Sequence, residues 1–354
     1  MVSMNSESQF GKPSNWGKKL RKLGLSALFL LVILCSIDTS EIIKVLSNLK
    51  FGTLLLISVT YFLGQMVSAM KWRMFLQYSG LSPSFTRTAK AYMLGMFVNS
   101  FAFGTVGGDV ARALAVSNSA KQKDIPQSNN DRQRSAAIGT VLADRVHGLL
   151  VLLGISIIAI DHLKANIVRE IAVELTIATL GAIVASWIIG PKILLKIFPS
   201  DSKFHEIAKK LSGAFPRKPA VIVPATLISA LFHLSQIMIY AILAKELNLM
   251  LPLGYLVFFI PLVNIACSLP ISFNGIGLRE SLLIFFFARA GIPAEPAFAI
   301  GAIWITVVTV TSAICGLLVS AVIRNPNLEE SLNSPNSDSF FCEEPGRRKL
   351  ANLN

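Results

Sequence analysis

LPLGYLVFFIPLVNIACSLPISFNGIGLRESLLIFFFARA, residues 251–290, is apolar enough to enter a bilayer but too broken to cross it as one helix. Pro261, Asn264, Pro270, Asn274, Gly275 and Gly277 interrupt the run, and residues of these types end or kink helices. The flanks 245–251 and 291–296 hold 1 and 0 Lys or Arg. Loops on the cytoplasmic side carry the Lys and Arg, so two charge-poor flanks place both ends of this segment outside. The segment therefore reads as a hairpin that dips in from the outer face and returns.

Residues 91–106 pose the mirror-image problem. They are apolar but short, contain Asn99 and Gly104, and have basic stretches on both sides. A full crossing would put one of those stretches outside, against the charge rule. A hairpin dipping in from the cytoplasm satisfies both flanks. The two hairpins also resemble each other: Val98-Asn99 opens a breaker region ending Gly107-Gly108-Asp109-Val110-Ala111-Arg112, and Val263-Asn264 opens one ending Asn274-Gly275-Ile276-Gly277-Leu278-Arg279-Glu280. Paired, interrupted hydrophobic segments in matching positions of two halves point to a transporter binding site.

The rest of the chain supplies ordinary spans. Apolar runs at 20–37, 52–70, 136–160, 171–189, 220–244 and 297–323 approach or exceed the roughly 20 residues a helix needs to cross a hydrocarbon core. The first is short and follows Lys18, Lys19, Arg21 and Lys22 like a signal peptide, but Cys35-Ser36-Ile37-Asp38 is a poor cleavage site, so it reads as an uncleaved helix. The expected fold class is all-α and polytopic: six full transmembrane helices plus two oppositely oriented re-entrant hairpins. The expected divisions are a disordered cytoplasmic N-terminus at 1–19, a membrane domain at 20–323 and a disordered cytoplasmic tail at 324–354. Residues 203–218 read as a basic surface helix, and Trp72 as an interfacial anchor.

Charge counting supports this orientation. Segments assigned to the cytoplasm (1–22, 71–90, 107–135, 191–219 and 324–354) hold 25 Lys and Arg, against 5 in the outer connections. Both termini are then cytoplasmic, and the protein is expected in the cytoplasmic (inner) membrane. Composition agrees: 53% of the 354 residues are hydrophobic and 15% charged, with mean hydropathy +0.60, outside the range of soluble domains. The net charge of +13 is accounted for by membrane orientation, so no nucleic-acid partner is expected. Cys35, Cys267, Cys315 and Cys342 are scattered without metal-ligand spacing. No HExxH, GxSxG or P-loop motif occurs, so neither a cofactor nor a metal is expected. The paired carboxylates of the outer face, Asp38 and Glu41, are too few to argue a glycosyl-transfer site.

Irregular backbone inside a bilayer must be buried in protein or line a water-filled cavity, so two glycine-rich corners predict a polar cavity. A helix restarting after each corner would aim free N–H groups into it, a setting that favours phosphate. The first corner supplies Asn99, Gly107, Gly108, Asp109 and Arg112. The second supplies Asn274, Gly275, Gly277, Arg279 and Glu280. Asp109 is equally a good N-cap for a helix over 110–117. Asp144, Arg145 and His147 lie well inside a predicted span, where charge is costly unless it is paired or faces water. Asp144 and His147 share a helix face, and Arg145 projects toward Asp109. Arg279 is the strongest phosphate candidate, because guanidinium binds phosphate bidentately and keeps its charge. Arg289 reads as snorkelling outward. His233 and Gln236 share a face of the fifth span, where helix–helix hydrogen bonding weighs more than cavity lining.

Three motifs in order, Phe97-Val98-Asn99 through Arg112, Ala143-Asp144-Arg145-Val146-His147-Gly148, and Leu269 through Glu280, resemble the lysylphosphatidylglycerol synthase transmembrane-region (flippase-like) family. The likeness covers about 20–323. It implies a membrane domain similar to that of the multiple peptide resistance factor, which moves aminoacylated phosphatidylglycerol between leaflets; stand-alone relatives are associated with polyprenyl-linked glycolipids. Residues 324–354 are too few for a soluble aminoacyltransferase domain, so synthesis of lysyl-phosphatidylglycerol by this chain alone is not expected. The expected function is translocation of a phosphate-containing lipid. The alternative is a membrane-embedded transferase, or a non-catalytic partner of a separate lipid-modifying enzyme. Expected partners are membrane lipids with anionic phosphate headgroups; homo-oligomerisation is left open.

Overall fold

The computed structural model describes residues 47, 49–118, 127–159, 173, 174, 177, 178, 181, 209, 213–269, 272 and 274–324. The predicted first span, nearly all of the fourth, most of the basic surface helix and the two tails lie outside the described residues.

Among the described residues the chain is all-helical. The helices are α1 (Phe51–Tyr78), α2 (Phe85–Val98), α3 (Gly104–Asn118), α4 (Gln127–Ile158), α5 (Pro219–Glu246), α6 (Leu253–Ser268), α7 (Leu278–Ala288) and α8 (Ala294–Arg324), with a five-residue π-helical turn, Asn99–Phe103, between α2 and α3. Segments within α1, α4, α5 and α8, namely Phe51–Tyr78, Gln133–Ile158, Pro219–Glu246 and Ala294–Ala321, are long and apolar enough to cross a membrane. They correspond to four of the predicted spans. Leucines 55, 56, 63, 227, 231 and 234, with Val59 and Met238, form exposed apolar stripes along α1 and α5, the inside-out pattern of a helix facing lipid.

Local chemistry sets the helix ends. Ser84 caps α2, its hydroxyl accepting from the Arg87 N–H at 3.3 Å. Pro219 opens α5, where its missing N–H costs nothing. α1 and α5 each close with a left-handed residue, Gly80 (φ 79°) and Asn248 (φ 55°). There the N–H of Leu81 reaches the Leu76 carbonyl at 2.9 Å and that of Leu249 reaches Ala244 at 2.8 Å.

Two antiparallel helix pairs occupy the segments read as hairpins. Arg87 Nη2 donates to the Val116 carbonyl at 2.5 Å and the Gly108 N–H to Asn99 Oδ1 at 2.9 Å, so α2 and α3 lie side by side. In α6–α7, Tyr255 donates to the Phe286 carbonyl at 2.6 Å and Arg279 to Asn264 at 2.8 Å. α1 and α5 are antiparallel, since Lys50 reaches Glu246 at 3.7 Å and Gly64 faces Ser235 and Gln236. The α2–α3 pair follows the C-terminus of α1, and the α6–α7 pair follows the C-terminus of α5. Their open ends therefore lie at opposite ends of the bundle, and their tips approach each other inside it.

Several expectations change. Gly107 and Gly108 do not break the chain: α3 begins at Gly104 and runs through both. A Cβ on Gly108 would fall inside the Gly95 carbonyl and the Asn99 side chain, so this glycine permits close approach of α2 and α3. Asp109 is therefore inside a helix and is not an N-cap. Pro261 and Asn264 do not break α6, which continues to Ser268; the described residues that follow it, 269, 272 and 274–277, are non-helical. Trp72 is no interfacial anchor, because α1 extends past residue 70 and buries the ring completely, its Nε1 donating to Thr140 Oγ1 at 3.1 Å.

Candidate functional site

A cavity of about 490 Å³ lies where the two hairpin tips meet α1, α4, α5 and α8. Of the predicted site residues, Asn99, Asp109, Arg112, Asp144, Arg145, Asn274 and Arg279 line it, as do His233 and Gln236.

At one pole the charges form an alternating chain. Lys71 Nζ sits 2.9 Å from Asp144 Oδ1 and also donates to the Asp144 carbonyl at 3.2 Å. Arg112 Nη2 donates to Asp144 Oδ2 at 3.1 Å and lies 3.2 Å from Asp109 Oδ1. Arg145 grips the Asp109 carboxylate bidentately, Nε to Oδ2 at 2.9 Å and Nη2 to Oδ1 at 3.0 Å. The structure thus brings Arg145 to Asp109 as the helix geometry predicted. Arg112 also stands 4.8 Å from the ring centres of both Trp72 and Tyr92, a stacking that orients a guanidinium at low solvent exposure. His147, sharing the Asp144 face, turns to Thr226 Oγ1 at 3.1 Å.

The other pole is built on Arg279. Asn274, Gly275 and Gly277 take left-handed conformations (φ 53°, 80° and 79°), which turn the chain and start α7 at Leu278. Arg279 Nη1 then donates to Tyr240 Oη at 2.6 Å and to Asn264 Oδ1 at 2.8 Å, and its guanidinium carbon lies 5.3 Å from the Trp304 ring centre. These partners are all neutral. Among the described residues no carboxylate pairs with Arg279.

Gly107, Gly108, Gly275, Gly277 and Glu280 are not among the lining residues. Glu280 Oε2 accepts the Gly277 N–H at 2.7 Å, and Arg279 donates its own N–H to the Gly275 carbonyl at 2.8 Å. At the second corner the Gly277 and Arg279 N–H groups are therefore engaged within the turn, and the cavity presents side-chain guanidinium groups. Arg289 is exposed at the end of α7, lying over the Phe285 ring.

Sequence reasoning missed Lys71, Tyr92, Tyr240 and Trp304. Lys71 was assigned to a loop because the apolar run appeared to end at residue 70. The signal was present in Trp72, Phe75 and Leu76, which continue the helical spacing across the lysine. With Lys71 and Arg112 buried, two charges leave the cytoplasmic count, which keeps its bias.

Comparison with known proteins agrees with the fold. A UPF0104 membrane protein of Methanocaldococcus jannaschii is 22% identical over 329 residues, covering 85% of this chain and 93% of the relative. No solved structure matches the chain. The family model described as the lysylphosphatidylglycerol synthase TM region matches residues 20–316, and with several apolar membrane-length helices the chain is a multi-pass membrane protein that belongs to this family.

Proposed function

We propose that this protein translocates a phosphate-bearing lipid between the leaflets of the cytoplasmic membrane. The observation that carries the reading is Arg279: 9% exposed, held by neutral partners, and facing the same cavity as Arg112. A guanidinium stays charged under all physiological conditions, and a charge at membrane depth is expensive unless something compensates it. A passing phosphate is the compensating group, and Arg279 binds it bidentately. In this reading both helix pairs are re-entrant, α2–α3 from the cytoplasm and α6–α7 from outside, with both termini cytoplasmic. Alternate opening at the two tips passes the headgroup from the Arg112 pole to the Arg279 pole, while the acyl chains stay in lipid. A lipid-modifying enzyme encoded elsewhere would supply or consume the lipid. The outer-face carboxylates on which a transferase reading would turn, Asp38 and Glu41, lie outside the described residues.

The test uses purified protein in liposomes, fluorescent phospholipids and bleaching of the outer leaflet. Protein-dependent bleaching beyond the outer half is expected, abolished by Arg279→Ala and unchanged by Lys245→Ala, which alters an exposed lysine remote from the tips. Failure of every anionic lipid to move overturns the proposal.

A further inference from the structure

The charge of the cavity selects among phosphate lipids, an inference that rests on the translocation reading above. Four basic side chains line it, Lys71, Arg112, Arg145 and Arg279, against two carboxylates, Asp109 and Asp144. Both carboxylates are ion-paired, although Asp144 Oδ1 accepts no hydrogen bond. Asp144 gives one oxygen to Lys71 and one to Arg112, and Asp109 gives both to Arg145 while also facing Arg112. Among the lining residues the surplus is split: one positive charge remains in the Arg112 cluster, and Arg279 is the second, its neighbour Glu280 lying outside the lining with its carboxylate turned to the Gly277 N–H. Donors are left over at each pole, since Arg112 Nε and Nη1 and Arg279 Nε are buried without a partner among the described residues.

We infer that the preferred headgroup carries two negative charges, as a phosphate monoester on an apolar chain or a diphosphate esterified at both ends, once to that chain. A dianion matches the surplus of two. A phosphodiester leaves one buried cation uncompensated. An aminoacylated headgroup brings an ammonium to a site whose two carboxylates are already ion-paired. Charges several ångströms apart in a poorly screened interior interact strongly enough that each unit of mismatch costs about tenfold in rate or more.

The test places the full chain in liposomes at pH 8, where a monoester is doubly ionised. Four tail-matched fluorescent lipids are compared: a phosphate monoester, a diphosphate esterified at both ends, phosphatidylglycerol and its lysyl ester. The monoester, the diphosphate or both are expected to move about tenfold or more faster than phosphatidylglycerol, with the lysyl ester slowest; which of the two dianions leads identifies the source. Arg145→Gln removes one positive charge while Arg112 still holds Asp109, and is expected to narrow the gap. Phosphatidylglycerol or the lysyl ester moving as fast as the dianions, or a gap that Arg145→Gln leaves unchanged, overturns this inference and leaves translocation standing. Movement of none of the four overturns translocation itself.

Discussion

Asp144 is the residue on which the charged pole turns, because it pairs with both Lys71 and Arg112 at 5% side-chain exposure. Removing one partner from a buried ionic group costs more than the group contributes net, since the orphaned charges stay desolvated. Asp144→Asn is expected to destabilise the protein by about 3–5 kcal/mol, seen as a large fall in thermal unfolding temperature in detergent. Arg145→Gln removes a cation that is 38% exposed and is expected to cost under about 1 kcal/mol. Similar losses from the two variants would contradict the assignment of Asp144 as the buried hub. At this scale the sequence was partly legible. Charges inside apolar runs marked Asp144, Arg145 and Arg279, and helix geometry paired Arg145 with Asp109. Neutral partners such as Tyr240 and Trp304 were invisible, because an aromatic in a membrane helix looks the same whether it faces lipid, core or cavity.

The elements depend on how closely helices approach. Any side chain on Gly108 meets backbone of α2, so Gly108→Ala is expected to cost about 1–3 kcal/mol through overpacking and to loosen the Asn99 bond that closes the tip. Gly154 in α4 has open space around it, and Gly154→Ala is expected to stabilise by about 0.5–1 kcal/mol through helix propensity. Thermal unfolding of the two variants in one detergent checks both signs. The existence of the helix pairs was legible from hydropathy and flanking charge, whereas their boundaries were not. Glycine was read as a breaker at 107–108 and at 275–277. It acts as one only at the second site, where positive φ is needed; at the first it is a packing residue, and sequence alone does not separate the two uses. Proline misled in the same way at Pro261, which α6 absorbs.

For the whole molecule, the antiparallel packing of α1 on α5 puts the open ends of the two hairpins at opposite ends of the bundle. Translocation requires each pair to return to the side it came from, so that the tips meet and neither pair crosses. The charge bias of the loops predicts this arrangement, and that bias survives the loss of Lys71 and Arg112 from the count. Impermeant thiol labelling of single cysteines in an otherwise cysteine-free chain tests it most directly. Ser82→Cys and Ser128→Cys flank α2–α3, and Met250→Cys and Pro293→Cys flank α6–α7. In sealed, oriented vesicles the first two are expected to label only from the cytoplasmic side and the last two only from outside. If either pair labels from opposite faces, that segment runs straight through the membrane, the tips do not meet, and the account fails.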